Sequence, residues 1–199
     1  MLTLRREAAT PADRAEVDRR IVARFGARRA ILVSDMSGFS RITRRRGIIH
    51  FLALIQHMQD LCAPVIEDAG GAVIKATADN MFALLPDPLC AVRAAQALHV
   101  ACAEDGRART PDDRVQLAIG IGYGDILDID QIDCFGDEVN LAFKLGEDIA
   151  TTGETLITAA AAAALPGDLP SGSPWSLQRR SRHISGVELG HFEVVFPPR

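Results

Sequence analysis

The order of extended and helical segments is the feature that most constrains how this chain can fold. Residues 30–34 form an apolar run without a charged residue, which predicts a central strand buried on both faces. A long helical pattern starts near Ser40 and ends at Gly70 and Gly71, because paired glycines break a helix. The first third of the chain therefore predicts a buried strand followed by one long helix.

The next segments complete a recognisable order. Residues 72–77 and 81–86 predict two strands, and the short polar link at 78–80 predicts the hairpin turn between them. Asp87 can cap a second helix, and residues 115–122 predict a fourth strand. Strand, helix, strand, strand, helix, strand is the order of the split βαβ arrangement. We therefore expect an α+β fold with a ferredoxin-like or palm βαββαβ core.

Further segments flank this core. Residues 1–28 are charged and helix-prone and predict an N-terminal helical extension, whereas residues 29–199 predict one domain. After the fourth strand, the pattern predicts a helix over residues 136–150, a short strand, an alanine-rich helix and two last strands near Trp175 and Phe192. These are additional C-terminal strands and helices, and a chain of 199 residues can bury a core of this size.

Composition excludes several classes of protein. The formal net charge of −4 does not indicate general affinity for nucleic acid. The four cysteines form no CxxC pair, and Cys62, Cys90 and Cys102 fall in helical apolar stretches where we expect small buried hydrophobes. The first twenty residues are too charged for a signal peptide, and the alanine-rich run at 157–165 is too short for a bilayer. We therefore expect a cytoplasmic, reduced protein with no membrane partner.

Two aspartates stand at the ends of predicted strands. Asp35 ends the first strand, and Asp79 lies in the hairpin that follows the second. In a palm fold the first strand lies between its neighbours, so its end lies close to that hairpin. Two carboxylates there could hold Mg²⁺, with substrate phosphates completing the coordination. The alternative is that Asp35 caps a helix and Asp79 is an ordinary turn residue.

A glycine-containing loop follows the first aspartate. Ser37, Gly38 and Phe39 connect the buried strand to the helix start. Such a loop presents backbone N–H groups to an anion, although it lacks the GK[ST] ending of a Walker loop. Beside a metal site, these N–H groups are what a triphosphate requires.

Four segments in this order resemble the motifs of the class III adenylyl and guanylyl cyclases. Residues 31–40, Ile-Leu-Val-Ser-Asp-Met-Ser-Gly-Phe-Ser, resemble the first metal motif. Residues 75–83, Lys-Ala-Thr-Ala-Asp-Asn-Met-Phe-Ala, resemble the second, in which a lysine lies four residues before the second metal aspartate. Residues 119–124, Ile-Gly-Ile-Gly-Tyr-Gly, resemble the strand that follows. Residues 133–144, Asp-Cys-Phe-Gly-Asp-Glu-Val-Asn-Leu-Ala-Phe-Lys, resemble the segment that recognises the base and positions the ribose. The resemblance extends over roughly residues 30–196.

The resemblance implies an adenylate cyclase, which converts ATP to 3′,5′-cyclic AMP and pyrophosphate by attack of the ribose 3′-oxygen on the α-phosphate. Asp35 and Asp79, helped by the Met36 carbonyl, would bind two divalent cations, Mg²⁺ or Mn²⁺. Lys75 would donate to ring N1 of adenine, and Asp133 would accept from the amino group. Guanine presents the opposite donor and acceptor pattern, so this pair implies ATP.

The resemblance also implies roles for the last motif and for a second subunit. Asn140 would orient the ribose, and Lys144 occupies the position where the family usually has a phosphate-binding arginine. Ser37, Gly38 and Phe39 would contact the substrate. Sites in this family form between two subunits, so a homodimer is implied. One subunit would supply the metal aspartates, and the other would supply the base-recognising residues.

The sequence departs from the family pattern at four places. Lys144 replaces the arginine and loses its forked donor set, and Ala78 replaces a glycine before the second aspartate. Residues 184–189 lack the lysine that often grips the triphosphate, although Arg179, Arg180, Arg182 and His183 lie just upstream. The link from 124 to 133 is shorter than the family's usual hairpin, which helps to build the dimer.

Three functions remain open after these departures. An adenylate cyclase is favoured, because a pure scaffold has no need for the clustered carboxylates of Asp35 and Asp79. A cyclase for GTP or a pyrimidine nucleotide is the second. A degenerate domain that binds a nucleotide or a partner protein without turnover is the third. Lys144 and the missing tail lysine favour this third reading.

Overall fold

Eight strands form one mixed sheet in the computed structural model, which describes residues 2–166, 175–184 and 187–197. The central strand β1 is flanked by β3 and β4, and the sheet order is β2-β3-β1-β4-β6-β8-β7, with β5 paired to β4. Pairing within β2-β3-β1-β4 is antiparallel, and β4 and β6 are parallel. The α+β class and the βαββαβ core are thereby confirmed. The strands are β1 (Gly26–Met36), β2 (Ala72–Thr77), β3 (Asn80–Leu85), β4 (Leu117–Ile129), β5 (Asp133–Phe135), β6 (Thr155–Thr158), β7 (Ser176–Ile184) and β8 (Val187–Val195).

The helices cover both faces of this sheet. Thr10 and Asp13 form a capping box at the start of the second helix, and Asp87 caps the fifth by accepting from the Cys90 N–H at 2.9 Å. The described helices are α1 (Leu2–Glu7), α2 (Pro11–Phe25), α3 (Phe39–Arg46), α4 (Ile48–Asp68), α5 (Pro88–Asp105), α6 (Asp137–Phe143) and α7 (Ala159–Ala163). A 3₁₀ turn (Gly106–Ala108) follows α5, and a π-helical turn (Lys144–Ile149) follows α6.

The long helix that we predicted from Ser40 is in fact two helices. Gly47 separates α3 from α4 with φ of 87°, a left-handed value that favours glycine. Its N–H still bonds the Thr43 carbonyl, so the chain turns sharply without losing that hydrogen bond. The prediction failed because three arginines before Gly47 are compatible with one continuous helix.

Residues 30–34 of β1 are buried on both faces, as predicted. Alternate residues such as Leu32 pack with α4 and α5, whereas Ile31 and Val33 pack with α6 on the opposite face. The strand begins at Gly26, before the predicted start of the domain at residue 29, because 26–29 pair with 124–127 of β4. In this extension, the Arg28 guanidinium lies 5.1 Å from the centre of the Tyr123 ring.

Helix α6 lies directly on the glycines of β4. A Cβ atom on Gly120 would lie 2.2 Å from the Ala142 carbonyl oxygen, and one on Gly122 would lie 2.4 Å from the Glu138 carbonyl oxygen. Side chains on this face of the strand are therefore excluded. These glycines set the short distance between the sheet and α6, the helix that carries the fourth motif.

We expect Gly120→Ala to lower the free energy of unfolding by about 3 kcal/mol, because the new methyl group meets backbone atoms that cannot move aside. Urea unfolding followed by circular dichroism measures this loss. Gly190→Ala is the matched control, since its Cβ would have no atom of the described residues within 4 Å. Equal stability of the two variants would contradict the close packing of α6 on β4.

The remaining sequence predictions concern cysteines, membrane segments and the tail. Cys62 and Cys102 are buried and Cys90 is partly buried, and all three thiols are free. Within the described ranges, no helix combines the length and apolar character that crossing a bilayer requires. Residues 167–174, and residues 185–186 within the segment 184–189 that lacks the lysine, lie outside the described residues.

Candidate active site

The two predicted metal aspartates meet where β1 ends beside the β2–β3 hairpin. Asp35 lies opposite Asn80 in the β1–β3 register, and the Met36 N–H donates to the Asp79 carbonyl at 3.0 Å. Ala78, in the same turn, has φ of 51°, a left-handed conformation that costs alanine about 1 kcal/mol. The glycine that the resemblance implies at this position would adopt this conformation without that cost.

Three carboxylates converge at this point. Burial raises the pKa of Asp35 to about 7, and the charges of Asp79 and Glu147 add to the effect. Burial also raises the pKa of Glu147, with contributions from Asp148 and Asp79. The chain therefore holds three carboxyl groups close together in a partly desolvated position, where their ionisation is unfavourable unless a divalent cation compensates the charge.

The donor set fits a cation that is shared with a substrate. Among the residues that the structure describes, no three His, Cys, Asp or Glu side chains are arranged as a complete metal site. A pair of carboxylates is nevertheless the typical protein contribution to Mg²⁺ when phosphates supply further ligands. Asp35 and Asp79 fit this role, because Asp35 is partly buried and lies within electrostatic range of Asp79.

Sequence reasoning missed Glu147. Its carboxylate accepts a hydrogen bond from the Asn80 side-chain N–H group at 2.5 Å. The side-chain oxygen of Asn80, Oδ1, is buried without a partner in the described part of the chain. Glu147 belongs to the π-helical turn, whose wider winding is common at functional sites. Its only sequence signal is its position three residues after Lys144 in the helix of the fourth motif.

One backbone N–H group of the loop after Asp35 forms a hydrogen bond within the protein. The Ser37 N–H donates to the Gln116 carbonyl at 2.8 Å, so in this structure it is not directed at a ligand. Gly38 has φ of 104° and precedes α3. The first N–H groups of α3, beginning at Phe39, have no partner within the helix. An anion at this loop would therefore be bound by the helix start rather than by Ser37.

The predicted base-recognising residues lie side by side. The Lys75 ammonium donates to the Asp133 carboxylate at 2.6 Å, although the two residues are 58 positions apart in the sequence. The hydrogen bond from Lys75 holds the pKa of Asp133 below its usual range. A donor and an acceptor with a spacing that suits one edge of a base are thus present in a single subunit.

The two remaining candidates lie on the helix that follows. Asn140 is exposed on α6, and Lys144 is the first residue of the π-helical turn. The Lys144 ammonium pairs with Asp148 at 3.2 Å, one helical turn further on. Within one subunit, Lys144 therefore pairs with Asp148 and not with the acidic group formed by Asp35, Asp79 and Glu147. The structure therefore separates the candidates into an acidic group, a base-recognising pair and an exposed helix face.

Comparisons with known proteins concern the sequence and the fold as a whole. No family model matches the chain. The chain is 31% identical over 129 residues, 65% of its length, to the protein named "Putative adenylate cyclase 3" from Rhizobium meliloti (strain 1021), and the match spans 22% of that relative. It is similar to the adenylate/guanylate cyclase/hydrolase from Silicibacter pomeroyi, with a TM-score of 0.70, 26% identity, and coverage of 87% of this chain and 98% of that one.

A second solved structure extends the comparison of folds. The guanylyl cyclase Cya2 aligns with a TM-score of 0.69 over 87% of this chain and 94% of its own, at 19% identity. Similarity at this identity shows the fold alone. These similar proteins include both adenylate and guanylate cyclases, so the similarity does not distinguish between adenine and guanine as the base. The four motifs resemble those of the class III cyclases, and the solved structures to which the chain is similar are adenylate and guanylate cyclases.

Proposed function

We propose that this chain is an adenylate cyclase, converting ATP to 3′,5′-cyclic AMP and pyrophosphate. The observation that carries the proposal is the close approach of Asp35 and Asp79 at the end of the central strand, where burial and repulsion leave negative charge uncompensated. Divalent cations held there would supply Lewis-acid chemistry, lowering the pKa of the ribose 3′-hydroxyl and neutralising charge on the phosphates.

The chain's own residues bind and orient the nucleotide in this proposal. Lys75 donates to N1 of adenine and Asp133 accepts from its amino group, so ATP replaces the direct Lys75–Asp133 contact. The start of α3 at Phe39 offers N–H groups to the triphosphate. Asn140 holds the ribose, and Lys144 places positive charge beside the α-phosphate. A homodimer completes each site, because the helix face with Asn140 and Lys144 serves the partner's acidic group.

The small number of lysines in the chain supports a role in the site for Lys75 and Lys144. The chain has 22 Lys and Arg residues, and Lys75 and Lys144 are its only lysines. A chain that otherwise uses arginine rather than lysine has its two lysines at positions that correspond to family site residues, although the resemblance implies an arginine at position 144. At Lys75 a single point donor suits ring N1 better than a forked guanidinium does.

Direct product analysis tests the proposal. The protein is incubated with ATP and either Mn²⁺ or Mg²⁺, and cyclic AMP and pyrophosphate are measured by mass spectrometry and a coupled assay. We expect the two products in equal amounts. A degenerate domain would instead be stabilised against heat by ATP and cation without forming either product, and that result would overturn the proposal.

We expect Lys144→Ala to lower kcat by about 10²-fold with a smaller change in KM, because a cation beside the α-phosphate acts mainly on charge that develops in the transition state. Lys144→Arg should preserve or raise kcat, since it restores a forked donor. Steady-state kinetics with Mn²⁺ and ATP measure both variants. Equal kcat in wild type and both variants would remove Lys144 from the site.

A further inference from the structure

A cavity of about 560 Å³ lies where the end of α5 and the 3₁₀ turn meet the start of β4 and residues 196–197 of the tail. None of the described residues that line it belongs to the candidate active site. A volume of this size suits a small organic molecule, since ligand pockets generally enclose about 300–1,000 Å³. The residues around the cavity therefore indicate which chemical class of ligand it would accept.

The inner part of the cavity is apolar and uncharged. The His99 ring contributes to it, with Nε2 at 2.9 Å from the Thr155 hydroxyl oxygen. Burial lowers the pKa of His99 to about 4, so the imidazole is neutral at pH 7. This part of the lining therefore suits the apolar body of a ligand. Its buried or partly buried apolar residues are Val100, Cys102, Val115, Leu117 and Phe196.

Two arginines form the solvent-exposed part of the lining. Arg107 and Arg114 are both exposed, and the Arg114 side chain packs across Gly106, where a Cβ atom would lie 3.3 Å from the Arg114 Cγ. The Arg114 Nε–H donates to the Arg109 carbonyl at 3.4 Å, which holds that side chain further in place. No Asp or Glu is among the described residues that line the cavity. Its mouth therefore carries positive charge that an anion would compensate.

We propose that this cavity binds a small amphipathic carboxylate, with its apolar body against the buried lining and its carboxylate at Arg107 and Arg114. A guanidinium matches a carboxylate well, because its planar N–H donors can form two parallel hydrogen bonds. A neutral ligand would leave the arginines without an anion, and a cation would be repelled. An inorganic anion would leave the apolar lining in contact with water.

The cavity shares a wall with the strand segment that holds the loop after Asp35. Gln116 and Leu117 line the cavity. The Gln116 carbonyl accepts from the Ser37 N–H at 2.8 Å, and Leu117 pairs with Met36 in the β1–β4 register. A ligand in contact with Gln116 is therefore one hydrogen bond away from the loop. We expect binding to shift the backbone amide signals of both Gln116 and Ser37 in nuclear magnetic resonance spectra.

Calorimetric titration with 2-naphthoate tests the site without nucleotide or metal. This probe joins an aromatic body to one carboxylate, and 2-naphthalenemethanol is its uncharged match. We expect the wild type to bind 2-naphthoate about 10-fold more tightly than the alcohol, because charge-assisted hydrogen bonds add to the same apolar contact. Arg107→Gln with Arg114→Gln should remove this difference by weakening the carboxylate alone. Acetate, which lacks the apolar body, should show no measurable binding.

Two further variants locate the bound probe. Arg20→Gln with Arg93→Gln is the matched control, because both arginines are exposed and lie outside the cavity lining. This variant should keep the wild-type affinity for both probes. Ala103→Trp should abolish the binding of both, since Ala103 is exposed on α5 and lines the cavity, so that a large side chain there fills the space. Circular dichroism melting confirms that each variant is folded.

Several results would overturn the proposed site. These are absence of 2-naphthoate binding, equal affinity of the wild type for the two probes, and unchanged affinity in the variant that lacks Arg107 and Arg114. Binding that persists in a folded Ala103→Trp variant, or that leaves the Gln116 and Ser37 signals unchanged, would place the probe elsewhere and overturn it equally. The outcome is independent of catalysis: a chain that binds 2-naphthoate as expected and forms no cyclic product would refute the proposed function alone.

Discussion

Replacing either Asp35 or Asp79 with alanine is expected to reduce metal-dependent turnover by about 10²-fold or more while leaving the fold intact. Each carboxylate is one of the two protein groups that the site offers to a cation, so losing one removes the coordination that positions the phosphates. Product formation with Mn²⁺ and ATP, measured beside circular dichroism spectra, gives both quantities. Asp68→Ala, at the exposed end of α4, is the matched control.

Removing the Asp35 carboxylate should lower turnover but raise the free energy of unfolding. The raised pKa of Asp35 means that the folded protein holds this proton up to about pH 7, whereas the unfolded chain releases it near pH 4. The stability of the wild type without cations therefore falls as pH rises through this window. We expect Asp35→Asn to be more stable than wild type by about 2 kcal/mol at pH 8 and equally stable near pH 4.

Two outcomes would contradict this account of the acidic group. Turnover that persists at a substantial fraction of wild type in Asp35→Ala or Asp79→Ala would remove the residue from cation binding. A loss of stability in Asp35→Asn at pH 8 would show that its carboxylate is favourably paired in the folded protein. Thermal shifts on adding Mn²⁺ provide an independent readout, because the stabilisation should be lost in both alanine variants.

The second large effect concerns the choice of base. Changing Lys75 to Glu and Asp133 to Cys together should shift the ratio of kcat/KM for ATP and GTP toward GTP. The reason is that the new carboxylate accepts from guanine N1–H, whereas the Lys75 ammonium that donates to adenine N1 is lost. Discrimination by buried hydrogen-bonding groups can reach about 10⁴-fold when a partner is left unpaired. Kinetics with each nucleotide measure the ratio, and an unchanged ratio would show that neither side chain contacts the base.

The scarcity of lysine provides a control that does not depend on turnover. Reductive ¹³C-methylation labels the two lysines and the amino terminus, and Lys75→Arg and Lys144→Arg assign the signals. Adding ATP with Mg²⁺ should shift the Lys75 signal strongly, because the nucleotide replaces its contact with Asp133. ATP that changes neither lysine signal would place the nucleotide away from both residues.

The core of the fold was predictable because its signals are local. An uninterrupted apolar run identified β1, and a short polar link identified the hairpin at Asp79. The resemblance then added the pairing of Lys75 with Asp133, which no local pattern contains. The proximity of the two aspartates could be predicted because the order of elements fixes which strand ends are neighbours.

The features that escaped prediction depend on backbone geometry or on distant partners. Gly47 ends α3 through a positive φ, and a single glycine inside a longer helical pattern is compatible both with a helix end and with a continuing helix. Residues 26–29 join β1 because β4 extends to pair with them, which an apolar pattern cannot show. Glu147 joins the acidic group through the π-helical turn, which shifts the helix away from regular spacing.

Competition between nucleotides tests the central claim most directly. The protein is given equal amounts of ATP and GTP with Mn²⁺, and both cyclic products are quantified by mass spectrometry in wild type and in Asp79→Ala. The account predicts that cyclic AMP predominates in wild type and that neither product forms above background in the variant. Predominance of cyclic GMP would contradict the assignment of the base, and absence of any cyclic product from a folded, dimeric wild type would contradict the assignment of a cyclase.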